Sequence, residues 1–89
     1  MSQYFTKDPD AVLDYAIDWS RWLGSDTIQT STWTVPSGLT EVSSEHTSTT
    51  VTIWLSGGTA GQTYTVTNRI VTAGGRTDER SIYIRVEQR

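Results

Sequence analysis

No cysteine occurs in the 89 residues, and that absence removes disulfides, thiolate metal sites and cysteine nucleophiles together. The chain is expected to fold where thiols stay reduced, which points to synthesis in a cytoplasm. Lysine is almost as scarce, with Lys7 alone, and the formal net charge is −3. Phosphate neutralisation needs clustered Lys and Arg, so nucleic acid is not an expected partner. No apolar run is long enough for a membrane span, and Met1 to Asp8 lacks the apolar core of a secretion signal, so neither a membrane nor that export route is expected. Histidine is limited to His46, set among serines and threonines, which cannot assemble the usual zinc ligand set. No metal, cofactor or catalytic residue is therefore expected.

What the chain has in quantity is threonine, 16 residues of it, beside Val, Ile, Trp and Tyr, a composition that suits sheets better than helices. Area scaling gives about 5,200 Å² of exposed surface for a folded chain of this mass against about 14,400 Å² extended, enough burial for one independent domain spanning residues 1–89. Leu13, Tyr15, Ile17 and Trp19 alternate with Asp14, Ala16 and Asp18 as in a half-buried strand. Ser20 to Gly24 reads as a short helical turn over Ser20–Leu23, closed by glycine. Asp26 to Val35 predicts a second strand with Ile28, Thr30 and Trp33 on one face and a bulge near Thr32; Pro36-Ser37-Gly38 ends it. Leu39 to Ser43 predicts a short strand, and Ser43 to Ser48 a polar loop. Thr49 to Leu55 turns Val51, Ile53 and Leu55 inward and Trp54 outward. Tyr64, Val66, Asn68 and Ile70 share the next inward face, Ala73 to Arg76 makes a turn, and Ser81 to Val86 closes the set with Ile82, Ile84 and Val86 inward. With Gln3 to Phe5 as a first strand there are seven.

The segment from Trp54 to Thr67 decides between architectures. Leucine ends one strand at Leu55, a glycine lies in the connection at Gly61, and Tyr64 opens the next strand, which is the arrangement of a tyrosine corner in immunoglobulin-like sandwiches. The expected fold is an all-β, immunoglobulin-like or fibronectin III-like sandwich of about seven antiparallel strands.

Motifs that carry chemistry elsewhere read as scaffold here. Gly57 to Gly61 is glycine-rich but precedes a strand and lacks the lysine of a phosphate loop. No nucleophile elbow surrounds any serine. Asp8, Asp10 and Asp14 fall close together as calcium ligands can, yet Asp8-Pro9-Asp10 is equally a turn with aspartates accepting backbone hydrogen bonds. Residues 1 to 26 hold five aspartates against Lys7 and Arg21, while residues 69 to 89 hold five arginines against Asp78, Glu79 and Glu87. Placed at opposite ends, those segments would let copies or partners dock by complementary charge; otherwise they are a mixed solvated surface. Trp19 and Trp33 fall on inward faces. Trp22 and Trp54 do not, and an exposed tryptophan can anchor a protein interface or stack on a sugar, unless Trp22 or a neighbouring loop covers Trp54 within the same domain.

Taken together, Lys7 to Tyr15, Ile17-Asp18-Trp19, Leu23, Asp26-Thr27-Ile28, Trp33, Gly57 to Tyr64, Asn68 and Gly75-Arg76 resemble a family of small tailed-phage and prophage proteins, the fibre-tail adaptor-like virion proteins. The resemblance covers nearly the whole chain. It implies a structural protein without chemistry of its own, made in the host bacterial cytoplasm and built into the virion. Its implied partners are other virion proteins of the tail, the fibres or the head-tail connector, engaged in several copies through symmetry. The expected contacts are an edge strand, Gln3 to Phe5 or Thr77 to Val86, and the loops Ser20 to Gly24 and Ser43 to Ser48. Trp22, Trp54, Arg76 and Asp78 are the candidate partner-binding residues. The alternative is a carbohydrate-binding or adhesion module that stacks glycans on Trp22 and Trp54.

Overall fold

Alternation of Val51, Ile53 and Leu55 with Thr52 and Trp54 places one side of a strand in oil and the other in water. In the computed structural model of the chain, which describes residues 3–88, this segment is β5 (Thr50–Gly57), the middle strand of a three-stranded sheet. It lies between β2 (Leu13–Asp18) and β4 (Leu39–His46), antiparallel to both. A second, four-stranded sheet runs in the order β1 (Gln3–Lys7), β7 (Thr77–Val86), β6 (Thr63–Thr72), β3 (Ile28–Thr34). The only helical element among the described residues is α1 (Ser20–Leu23).

The expected sandwich is therefore present. The β2-β5-β4 and β3-β6-β7 sets correspond to the B-E-D and C-F-G sets of immunoglobulin domains. The first strand runs parallel to β7, from Gln3 opposite Ile82 to Lys7 opposite Val86, instead of pairing with β2. The folded surface is 5115 Å², close to the area that chain mass alone dictates.

Inner faces meet as the alternation requires. Tyr15, Ile17, Val51, Ile53 and Leu55 from one sheet pack on Trp33, Val66, Ile70, Ile82, Ile84 and Val86 from the other, and Trp19 and Leu23 close one end. Burying a side chain of this kind contributes roughly 1.5–3 kcal/mol. Lys7 is wholly buried among them. Its Nζ donates to the carbonyls of Asp8 at 2.8 Å and Gly57 at 2.7 Å, bridging the end of β1 to the end of β5 in the opposite sheet. Desolvation holds its ammonium pKa below the usual lysine value, opposed by the carboxylates of Asp8 and Asp10.

The corner from Leu55 to Tyr64 has the expected form: the backbone N–H of Thr59 donates to the Tyr64 hydroxyl at 2.9 Å. Gly61 adopts φ +89° and its N–H donates to the Val86 carbonyl at 2.7 Å. Gly58 has φ +100°, and a Cβ there would stand 2.6 Å from Val86 Cγ2, so the corner closes onto β7 only with glycine at that place. The helical turn also forms as expected, ending at Gly24 with φ +63°, while the Asp18 carboxylate accepts from the Ser20 N–H at 2.9 Å.

Three expectations are corrected. The bulge in β3 falls between Ile28 and Thr30, not near Thr32, so Ser31 instead of Thr30 shares the inward face with Trp33. Strand β4 continues to His46 through what reads as a loop, because pairing with β5 resumes at Ser43 after a bulge at Val42. Thr77 to Val86 is not an edge strand, because β7 lies between β1 and β6. Of the two charge arrangements left open, the mixed surface is the one present: β1 pairs with β7, Arg76 meets Asp26 at 3.2 Å, and Arg80 Nη1 donates to the Asp18 carbonyl at 3.2 Å. Met1, Ser2 and Arg89, which belong to those charge counts and to the N-terminal reading, lie outside the described residues.

Candidate functional site

Trp54 is the residue that β5 turns away from the core. Its cross-strand neighbours are Asp14 on β2 and Ser43 on β4, so it stands near the middle of the outer face of the three-stranded sheet. It is 38% exposed. Its ring has no aromatic or cationic partner, and its Nε1 no acceptor, among the described residues. One pair further along, Thr52 is flanked by Ala16 and Glu45. Neither Lys nor Arg occurs on β2, β4 or β5, so the strands of this sheet carry only acidic charge at Asp14, Asp18, Glu41 and Glu45, of which Asp18 has Arg80 of β7 nearby. Val42, 54% exposed at the bulge, adds apolar surface on its edge.

Trp22 is placed differently. Its indole meets that of Trp19 edge-to-face at 5.4 Å and 69°, and the Arg76 guanidinium lies 4.3 Å over it. It does not cover Trp54, which is about 13 Å along β2 and β5 from the end where Trp19 emerges, at about 3.3 Å per residue. The two indoles are not in contact with each other.

Arg76 is engaged within the chain. Its Nη2 donates to the Leu23 carbonyl at 2.8 Å and its Nε to Asp26 at 3.2 Å, which ties the open end of α1 to the β6–β7 turn. Asp26 is the hub of this knot. Its carboxylate is pulled down to about 2 by the Thr72 hydroxyl, then by the N–H groups of Thr27 and Gly74 and by Arg76. Gly74 permits that approach, since a Cβ there would meet Asp26 Oδ2 at 2.9 Å. Asp78, two positions beyond Arg76 and half-buried opposite Ile70, accepts the Glu79 N–H at 2.8 Å. The four candidate residues therefore divide into Trp54 on an outer face and Trp22, Arg76 and Asp78 toward the α1 end.

His46 sits exposed at the end of β4, its Nδ1 donating to the Thr47 carbonyl at 3.0 Å. Asp8 accepts the Asp10 N–H at 2.8 Å, which makes Asp8-Pro9-Asp10 a side-chain-supported turn. No group of three His, Cys, Asp or Glu suited to a metal ion occurs among the described residues.

Two arginines were not singled out by sequence reasoning. Arg80 falls on the inward register of β7, opposite Asn68, and stacks 4.2 Å over the Trp19 ring. The signal was available in the continued alternation Arg80, Ile82, Ile84, Val86, which a strand start at Ser81 cuts off. Arg21, on α1, points to the same neighbourhood, where a small cleft opens between the sheets.

Residues 7–85 match a family model described as Podophage GP4 fiber-tail adaptor protein gp77. No curated protein matches the chain significantly.

Proposed function

The chain belongs to the podophage GP4 fibre-tail adaptor family, and from that premise we propose that it is a non-enzymatic virion part that docks neighbouring tail and fibre proteins through the outer face around Trp54. The observation that carries this reading is a large indole exposed near the middle of a sheet face without a partner among the described residues. Such aromatic residues supply much of the energy of protein interfaces when a neighbour desolvates them. The carboxylates of Asp14 and Glu45 beside it suit a partner surface that presents Lys or Arg.

On this reading residues 1–89 act as one rigid module in the virion, and repetition by symmetry turns several weak contacts into a firm attachment. Trp22 and Arg76 support the adaptor by fixing the α1 end, with Asp78 and the exposed part of the Trp22 ring as secondary contacts. Trp54→Ala tests the reading. The variant should keep its circular dichroism spectrum and melting temperature within a few degrees, yet be lost from purified particles in a complementation assay. Incorporation at the wild-type level would remove Trp54 as the anchor. Glycan titration followed by tryptophan fluorescence separates the adhesion alternative, which requires a saturable change in emission.

A further inference from the structure

A cleft of about 210 Å³ opens at the edge of the sandwich between β1 and β2, bounded by Gln3, Ile17, Asp18, Arg21, Arg80 and Ile82. It lies apart from the Trp54 face, at the seam between the two sheets. Ile17 and Ile82 are core residues, so its floor is apolar. Its walls carry two guanidinium groups and one carboxylate.

The carboxylate is already in use: Asp18 accepts the Ser20 N–H at 2.9 Å, and that bond holds its pKa below the usual aspartate value. Arg80 is held in place from two sides, stacked 4.2 Å over Trp19 and donating from Nη1 to the Asp18 carbonyl at 3.2 Å. Its remaining guanidinium N–H groups form no hydrogen bond to a described residue. Arg21 is exposed and forms no ion pair or hydrogen bond with any described residue. The wall therefore offers one preorganised and one exposed, unpaired cation over an apolar floor, with a net charge of one positive unit from these three side chains. A guanidinium fork matches a carboxylate in geometry as well as charge.

Size narrows the occupant. Small-molecule sites usually occupy roughly 300–1,000 Å³, so this cleft suits a single side chain better than a cofactor or a sugar chain. Two methylenes can lie on Ile17 and Ile82 while a terminal carboxylate reaches the two arginines. We propose that the cleft seats a glutamate side chain presented by a partner protein, a second docking point independent of the Trp54 face. An adaptor that joins two parts needs two surfaces, and these two differ in chemistry: an acidic aromatic face and a cationic socket.

The full chain labelled with ¹⁵N tests this with N-acetyl-glutamate N-methylamide as probe, read at the arginine Nε–H signals. Saturable shifts of Arg21 and Arg80 with a millimolar dissociation constant are expected. Blocked glutamine should give none. Arg21→Gln, an exposed change that leaves the Arg80 stack intact, should weaken binding about fivefold, the equivalent of roughly 1 kcal/mol for a partly exposed charge pair. Trp54→Ala should bind the probe as the parent does, so loss of either docking point is read separately. The proposal is overturned by shifts that do not saturate, by an equal response to blocked glutamine, by unchanged affinity in Arg21→Gln, or by tighter binding of glucuronate or sulfate than of the glutamate probe.

Discussion

The indole N–H of Trp19 donates to Oδ1 of Asn68 at 3.1 Å, a bond between buried groups 49 residues apart that joins the end of β2 to β6 across the sandwich. Asn68 spends its amide on Ser31 Oγ at 2.9 Å and the Thr32 carbonyl at 3.3 Å, so one side chain links Trp19, β6 and β3. A buried donor deprived of its acceptor costs the full desolvation of that group. Asn68→Leu should accordingly lower unfolding free energy by about 1–3 kcal/mol in urea titrations. A loss below roughly 0.5 kcal/mol, the scale of an ordinary surface change, would show that the network is not a structural joint.

Tyr64 supports the corner in two ways, by its hydroxyl on the Thr59 N–H and by its ring against Gly38. Tyr64→Phe removes only the first and should cost about 1 kcal/mol. Gly38→Ala should cost more, because a Cβ there meets Tyr64 Cε1 at 2.9 Å and the residue holds φ +105°. Equilibrium denaturation of the two variants side by side gives the ranking, and the reverse order would contradict it.

Gly58→Ala should destabilise by about 1–3 kcal/mol through overpacking against Val86, with backbone strain added. Part of that cost is a clash with one side chain, so Val86→Ala in the same molecule should relieve it. A double-mutant cycle should therefore show less than additive loss. Strict additivity would mean that φ alone excludes alanine.

Acid stability should report Asp26. Its carboxyl is pulled down to about 2 in the folded protein, below the usual aspartate value of 3.8, so the unfolded chain takes up its proton first as pH falls. The stability it contributes is complete above about pH 5 and is lost progressively as pH drops through 3.8 toward 2. Asp26→Asn should lower stability at neutral pH and flatten the decline between those values in acid denaturation. An unchanged acid profile would remove Asp26 as the hub of the α1 end.

Much of this structure is legible in the chain because buried strands announce themselves. Val51-Thr52-Ile53-Trp54-Leu55 and Ile82-Tyr83-Ile84-Arg85-Val86 each present one apolar face, and the structure buries the faces expected. Leu55, Gly61 and Tyr64 mark the corner in advance because each has a local task there: Leu55 fills the core, Gly61 holds a positive φ and the Tyr64 hydroxyl accepts a turn N–H. Strand β4 was harder to read, since only Leu39 of its eight residues is buried and its pairing with β5, not its own pattern, makes it a strand. The β3 bulge is similarly set by the partner strand. At the candidate surfaces, Trp54 could be placed outward from alternation alone. The knot of Asp26, Arg76 and Trp22 could not be foreseen, because it joins residues about 50 positions apart that no local period connects.

A cryo-electron map of the intact particle tests the docking account most directly. Trp54 should be buried against a neighbouring tail or fibre protein, with basic side chains of that neighbour beside Asp14 and Glu45. A map in which the chain is attached elsewhere and the Trp54 face is open to solvent would contradict it.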